Sequence, residues 1–191
     1  MPLNYKMPET LEKLVQLDKD LHQRNGHTVD DHIGFYISFN NDDDRYQCTP
    51  EDAVVFGRTG VGGDHFAFYT FNQSIKDLEE APIIFIQPMF FEKAVNLVAR
   101  NLKDFLALFI NLKEIYVLER FSFYKSKSDF IKDYKENYLK DIDLRESKLE
   151  YFIEELRENV VEGITEINDA YSYITDLRKQ ISIEIKNSDG S

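Results

Sequence analysis

The segment Val54–Met89 decides the fold: it reads VVFGRTGVGGDHFAFYTF from residue 54 and PIIFIQPM from residue 82, with a polar break between. Runs of β-branched and aromatic residues bounded by Gly and Pro are typical of strands. The segment predicts strands over Ala53–Arg58, His65–Phe71 and Pro82–Pro88, the last buried on both faces of a sheet. Its turn carries glycines where a tight hairpin needs positive φ: Gly60, Gly62 and Gly63.

Helical and extended patterns continue on both sides of this segment. Apolar residues on one face predict a packing helix over Pro8–Arg24. Alternating apolar residues predict a first strand over His32–Phe39, and the acid-rich stretch Asn40–Asp52 predicts a solvated loop. Helical spacing predicts a helix over Asn101–Leu112, whereas Val95–Val98 fits either a last strand or the start of a helix.

The last third of the chain is predicted to be helical, because no proline follows Pro88 and a polar-apolar pattern runs from Ser128 to Ile185. From Phe152 to Ile181 the apolar residues recur mostly at steps of three and four. One helix from Leu144 to Ile185 would be about 60 Å long, more than the width of a domain of this size. A break is therefore predicted at Gly163, after two valines. The resulting hairpin is expected to cap the sheet, and the alternative is a protruding arm that dimerises through a heptad-like face.

The whole pattern predicts an α+β protein with a twisted, mainly antiparallel sheet packed by helices and a helical C-terminal third. The chain has 191 residues, enough to bury one core. We expect a single domain over residues 1–191, with an N-terminal helix in 1–30, a sheet core in 31–120 and C-terminal helices that pack on the core in 121–191.

Acidic residues outnumber basic ones, 35 to 23, which gives a formal net charge of −12. Nucleic acid and anionic membranes both attract clustered Lys and Arg, so neither is expected as a partner. The electrostatic field of a negatively charged protein attracts a basic protein partner. The alternative is that the excess negative charge only keeps the protein soluble. The single cysteine, Cys48, and an N-terminal sequence without a signal-peptide pattern predict a cytoplasmic protein.

The chemistry-bearing residues form no recognisable catalytic pattern. The turn Gly57–Asp64 lacks the Lys and the following helix of a phosphate loop, so the expected role is a structural hairpin with Asp64 as its cap. The histidines are poorly spaced for metal binding, and Cys48 has no orienting partner. We expect no enzyme, no cofactor and no metal site, and the competing hypothesis is a hydrolase built on Asp64 and His65.

The block FGRTGVGGDHFAFYTF, followed by APIIFIQPMFFEKAVNLVARNLKDFLALF, resembles the SUKH superfamily, which includes Smi/Knr-like regulators of yeast cell-wall assembly and many bacterial toxin-immunity proteins. The resemblance covers Ala53–Leu112. The chain departs from the family in having no Trp and in its Gly-Val-Gly-Gly-Asp turn. The resemblance is carried by the glycine turn with its acid, the strands beside it and a helix opening: Thr59, Gly60, Gly63, Asp64, Phe66, Phe68, Pro82–Ile86, Asn101, Leu102, Phe105 and Leu106.

The resemblance implies the same α+β fold and a non-enzymatic protein-binding function, for which a toxin-neutralising immunity protein is the leading hypothesis. A nuclease toxin has a basic groove, which an acidic immunity protein covers through complementary charge. The alternative function is a regulatory or scaffold protein acting through its C-terminal helices, and the oligomeric state is left open between monomer and homodimer. The candidate partner-binding residues, whose alternative is a merely solvated loop, are acids: Asp42, Asp43, Asp44, Glu51, Asp52 and Asp64.

Overall fold

The computed structural model describes residues 4–90 and 93–183. None of the helices in these ranges is both long and apolar enough to cross a membrane. The elements, in chain order, are α1 (Glu9–Asn25), α2 (Asp30–Ile33), β1 (Tyr36–Ile37), β2 (Ala53–Arg58), β3 (His65–Tyr69), β4 (Ile83–Ile86), β5 (Val95–Ala99), α3 (Leu102–Leu112), α4 (Lys127–Asn137), α5 (Leu139–Leu144), α6 (Glu146–Asn159) and α7 (Ala170–Gln180), with 3₁₀ segments at Asp42–Asp44, Leu78–Glu80 and Tyr116–Phe123.

The strands form one antiparallel sheet in the order β1-β2-β3-β4-β5, in which each strand pairs with the next along the chain. Only β2 and β3 are joined by a tight turn, at residues 59–64, which is a connection that antiparallel neighbours allow; the other strands are joined by longer segments. The quoted segment supplies the three central strands. The fold is therefore α+β with a helical C-terminal part, as the sequence predicts.

One face of the sheet carries large aromatic side chains and forms the main core with the helices. Phe66 of β3 stacks on Phe85 of β4 with 4.5 Å between ring centroids. Phe105 of α3 lies 5.0 Å from the Phe66 ring. Aromatic pairs at such distances add about 0.5–1.5 kcal/mol beyond simple burial, so this cluster fixes the helix layer on the sheet.

A bulge interrupts the pairing of β2 with β3 between Val55 and Gly57. The buried ring of Phe35 lies directly over Gly57, where a β-carbon would be 2.4 Å from its Cδ2 atom. Gly57 is therefore a strand residue that gives room to a core ring. The turn itself begins after Arg58, at Thr59.

The opposite face of the sheet carries smaller side chains, on which Leu177 of α7 packs. The Arg178 Nε–H donates to the carbonyl of Leu97 over 2.8 Å. The Tyr173 hydroxyl accepts from the backbone N–H of Arg100 over 2.9 Å. Because β5 is an edge strand, these bonds cover backbone groups that would otherwise be open to pairing with another chain.

The structure of the N-terminal third differs in part from the sequence prediction. The helix α1 matches the predicted one and ends at Gly26, whose φ of 74° provides a left-handed cap. The predicted strand His32–Phe39 is wrong over its first half, because residues 30–33 form α2, which ends at Gly34 with φ 90°. The strand β1 contains only Tyr36 and Ile37. In this segment the alternating apolar residues belong to a helix end and the turn that follows it. The same alternation is expected of a strand, so the spacing alone does not distinguish the two structures.

The C-terminal third also differs in part. The helix break predicted at Gly163 is confirmed, since α6 ends at Asn159 and Gly163 has φ 70°, while Ile185 lies outside the described residues. The expectation that the helical hairpin caps the sheet is correct for α7, which packs on β5 and places Leu177 on one face of the sheet, and wrong for α6, which packs on α1 and α2. A protruding arm is also wrong, since Phe152 and Ile174 are buried in the chain's own core.

Candidate functional site

The glycine turn between β2 and β3 is closed by backbone hydrogen bonds. The Thr59 N–H donates to the Asp64 carbonyl, and the Asp64 N–H donates to the Val61 carbonyl, both over 2.9 Å. All three glycines of the turn have positive φ, from 58° to 81°. The prediction that the Asp64 side chain caps the turn is wrong: the Thr59 hydroxyl accepts from the Val61 N–H, and the Asp64 carboxylate accepts from Gln87.

The same glycines let side chains from other segments lie against the turn. A β-carbon at Gly60 would be 3.4 Å from the Tyr36 ring, and one at Gly62 would be 3.7 Å from Met89 Cγ. At Gly63 it would be only 2.3 Å from the Tyr46 ring, too close for any side chain. The turn therefore gathers apolar groups from three separate segments.

These groups form an exposed apolar surface at one end of the sheet, which we call the glycine-turn surface. Met89 is 68% exposed and Val61, at the tip of the turn, is 61% exposed. The Phe90 ring lies 5.7 Å from that of Phe123. Large exposed apolar groups that lie together are typical of interaction sites, whereas scattered ones are ordinary. The surface consists of Tyr36, Tyr46, Val61, Met89, Phe90 and Phe123.

A cleft of about 190 Å³, which we call the acidic cleft, opens beside this surface. Among its walls, the Asp44 carboxylate is buried, accepts from the Ser38 hydroxyl and lies 3.6 Å from Nη1 of Arg58. The prediction of a solvated loop is wrong for this residue, because a 3₁₀ turn that begins after Asn41 directs it inward. The cleft is lined by Asp43, Asp44, Tyr46, Arg58, Gly60, Gly63 and Asp64.

The Asp64 side chain lines the cleft and is hydrogen-bonded to Gln87. Asp64 is only 7% exposed, and its Oδ2 atom accepts from the Gln87 Nε2 over a long 3.4 Å. Burial raises the pKa of the Asp64 carboxyl above its ordinary value, against the opposing effect of the Gln87 hydrogen bond. The Asp64 carboxylate therefore has one long hydrogen bond through Oδ2, while Oδ1 is open to the cleft.

The structure brings together only some of the six acids named from sequence. Asp43, Asp44 and Asp64 line the acidic cleft, and Asp42 is exposed on the neighbouring 3₁₀ turn. Glu51 and Asp52 are not among the residues that line the cleft. Asp52 has a structural role instead: it accepts from the Asn72 N–H over 2.5 Å, and its carbonyl accepts from the Thr70 hydroxyl.

The hydrolase hypothesis required Asp64 and His65 to converge in an open pocket. His65 is completely buried and its Nδ1–H donates to the Gly63 carbonyl over 2.7 Å. Its Nε2 therefore accepts from the Thr49 hydroxyl over 2.9 Å, and burial lowers the pKa of the ring. Both nitrogens are occupied, so the ring supports the hairpin and does not act in the cleft. Across residues 4–90 and 93–183, no three or more His, Cys, Asp or Glu residues are grouped to hold a metal ion.

Sequence reasoning missed the apolar part of this site. Val61 interrupts a run of glycines, and Met89 and Phe90 follow Pro88 beyond the predicted third strand. Apolar residues at a turn tip and after a strand end are the signal that was available, because neither position is expected to be buried. Tyr36 and Tyr46 gave no such signal, since their exposure depends on how β1 and the loop after it fold.

Comparisons with protein-family models, curated proteins and solved structures gave no significant match.

Proposed function

We propose that this protein is a non-enzymatic protein-binding module whose glycine-turn surface holds a basic protein partner. The observation that carries the proposal is the placement of exposed Met89, Phe90 and Val61 beside the carboxylates of the acidic cleft. Interface centres are enriched in aromatic residues, Met and Arg, and charged groups surround them. The border is acidic on the side of the cleft, while Lys93 lies against the Phe123 ring. Such a surface fits a partner whose own apolar patch has basic groups on the side that meets the cleft.

The glycine turn, which carries Val61 of this surface, is held by backbone hydrogen bonds, and this favours binding further. The turn is closed by backbone bonds, and β2 and β3, which it joins, lie inside the sheet. Side chains held by a rigid hairpin lose little conformational entropy on association, which leaves more of the contact energy as affinity. The net charge of −12 adds long-range attraction for a basic protein and speeds encounter.

The more specific proposal is a toxin-neutralising immunity protein of SUKH type. It is supported by the sequence resemblance, whose turn residues Gly60, Gly63 and Asp64 all line the acidic cleft. A nuclease toxin presents a basic groove, which is the partner chemistry that this border fits. The alternative, a scaffold acting through the C-terminal helices, has less support, because the large apolar residues of α6 and α7 are used in the chain's own core.

The test is capture of partners from a lysate of the source cells on immobilised full-length protein, at low and at raised salt. Three proteins are compared: the wild type, the double variant Met89→Ser/Phe90→Ser, and the control Leu144→Ser. Leu144 is 78% exposed and lies on α5, outside the glycine-turn surface. We expect one basic protein that salt elutes from the wild type and the control, and that the double variant loses.

Equal retention of that protein by the double variant would show that it binds elsewhere and would overturn the proposal. The immunity function has its own criterion. Expression of the captured protein alone should arrest growth, and co-expression of the wild-type chain, but not of the double variant, should restore it. A captured protein that is harmless when expressed alone would leave a binding module and exclude the immunity role.

A further inference from the structure

One carboxylate beside the glycine-turn surface belongs to a buried residue, and only one of its two oxygens has a hydrogen bond. Asp64 is 7% exposed, and its single hydrogen bond within the described part of the chain joins Oδ2 to Gln87 over 3.4 Å. The other oxygen, Oδ1, has no hydrogen-bond partner there, although Asp64 lines the acidic cleft. Oδ1 is not sealed from solvent, so it is an acceptor open to a donor that enters the cleft.

The cleft has room and charge for such a donor. Its volume of about 190 Å³ exceeds the share of a liquid water molecule, about 30 Å³, several times over. Its walls carry three carboxylates, of Asp43, Asp44 and Asp64, against one guanidinium, that of Arg58. Arg58 does not fill the cleft, since its side chain is 58% exposed and its Nη1 stays 3.6 Å from Asp44, beyond a direct hydrogen bond.

Arg58 shows how a cation fits this environment. Its guanidinium carbon lies 5.9 Å from the centre of the Tyr36 ring while Nη1 faces the Asp44 carboxylate. Tyr46 offers a second ring in the wall of the cleft: it lies against Gly63, the residue before Asp64, and is about half exposed. A ring next to a carboxylate is the arrangement that guanidinium groups favour, because they stack on one and donate in a fork to the other.

We propose that the acidic cleft receives an arginine side chain of the partner, whose guanidinium stacks on Tyr46 and donates to the free oxygen of Asp64. This inference rests on the proposed protein-binding function and specifies the chemistry of the partner. Arginine fits better than lysine because a planar group both stacks and donates through more than one N–H. Arg58 stands at the rim as a resident cation, and its charge opposes the entry of a second one.

The test uses N-acetyl-arginine-methylamide as the probe and the full-length, ¹⁵N-labelled protein. We expect saturable changes in the amide shifts of Gly60, Gly62 and Gly63 on titration. Asp64→Asn, which keeps the shape and removes the charge, should weaken binding about tenfold, since it loses a charge-assisted hydrogen bond. Arg58→Gln should tighten binding about threefold, because it removes the competing charge.

The neutral analogue N-acetyl-citrulline-methylamide is the matched control probe, and it should cause no shift at these glycines. Equal shifts with both probes, no binding of the arginine probe, or unchanged affinity in Asp64→Asn would each overturn the inference. If Asp64→Asn disturbs the fold, as its amide spectrum will show, the citrulline comparison and Arg58→Gln still decide the question.

This outcome is separable from that of the proposed function. The Met89→Ser/Phe90→Ser variant should lose the captured partner but retain binding of the arginine probe, because neither residue lines the cleft. A wild type that binds its partner through the glycine-turn surface while ignoring the arginine probe would reject the inference and leave the function standing. If the wild type binds the arginine probe but the double variant still captures the partner, the inference about arginine stands and the proposed role of the glycine-turn surface is rejected.

Discussion

Gly63 and Asp64 are neighbours in the chain that both line the acidic cleft. The first position has no room for a side chain, whereas the second carries an acidic one. Gly63 has no side chain because the Tyr46 ring occupies that space and because its φ is 81°. Asp64 keeps an ionisable group where burial raises its pKa. The geometry of the hairpin requires a glycine at position 63 but no acid at position 64, so the proposed binding role assigns a function to a carboxylate that the turn does not need.

A second buried polar residue lies at the opposite side of the main core. The His32 ring stacks on Phe152 at 4.6 Å and meets His27 edge to face at 5.8 Å. Its Nε2 is buried without a hydrogen-bond partner among the described residues. Burial, followed by the charge of His27, lowers the pKa of His32 below its ordinary 6.5, while Lys148 and Arg145 act in the same direction and Asp31 opposes them.

The sign of the resulting pH dependence follows from this depressed pKa. His32 takes up a proton near pH 6.5 in the unfolded chain but only at lower pH in the folded chain. The contribution of the neutral ring to the free energy of unfolding is therefore fully present above pH 6.5 and is lost as the pH falls through the folded pKa. We expect His32→Phe to be about 1 kcal/mol more stable than the wild type at pH 7.5, because it removes an unsatisfied buried nitrogen. Urea unfolding should show a larger difference at pH 5 than at pH 7.5.

The exposed His22 on α1 provides the control for this prediction. His22→Gln should follow the wild type at both pH values. A difference between His32→Phe and the wild type that stays constant from pH 7.5 to pH 5 would mean that His32 does not titrate in this window, and the assignment to the buried ring would fail.

At the scale of elements, the C-terminal helices belong to the core. Phe152 and Leu156 of α6 and Ile174 of α7 are completely buried, and α7 also covers the outer edge of β5. If the C-terminal helices served only to dimerise, removal of residues 144–191 would leave the sheet folded. The packing predicts the opposite, because each large core side chain is worth about 2–5 kcal/mol and the whole domain is stable by only about 5–15 kcal/mol.

The deletion of residues 144–191 is therefore expected to abolish cooperative unfolding in urea and the near-UV circular dichroism of the aromatic core. Single substitutions provide a matched pair. Ile174→Ala should destabilise the protein by about 2–5 kcal/mol, whereas Leu144→Ala, at a residue 78% exposed, should stay within about 0.5 kcal/mol. A deletion variant that unfolds cooperatively with native near-UV signals would place the helices outside the folding unit.

Sequence patterns predicted the elements whose signal is local. The helix α3 begins where Asn101 accepts from the Asp104 N–H, and β2 to β4 lie where β-branched and aromatic runs end in Gly or Pro. Sequence patterns gave a wrong prediction for α2 and β1, because the spacing of the apolar residues there fits both a strand and a short helix followed by a turn. They identified three of the cleft acids, but they did not reveal that Asp44 turns inward, because that depends on Ser38 and Arg58 meeting it across the fold.

At the scale of the whole molecule, the excess of negative charge acts on stability as well as on partner choice. The ion pairs involve mostly exposed side chains, such as Lys13 with Glu9 and Lys179 with Asp176, and contribute little individually. A net charge of −12 remains and repels itself in the compact state. Acidification towards the isoelectric point, about 4.8, removes most of this repulsion.

Salt should therefore stabilise this protein at neutral pH. Raising NaCl from about 20 to about 300 mM shortens the screening length from about 20 Å to about 6 Å and weakens long-range repulsion more than contact pairs. We expect the thermal midpoint at pH 7.5 to rise by about 2–4 °C, equivalent to roughly 1 kcal/mol for a chain of this length. The rise should nearly vanish at pH 5, where the net charge is small. An equal rise at both pH values would indicate a general salting effect, and a fall at pH 7.5 would mean that the exposed ion pairs outweigh the net charge.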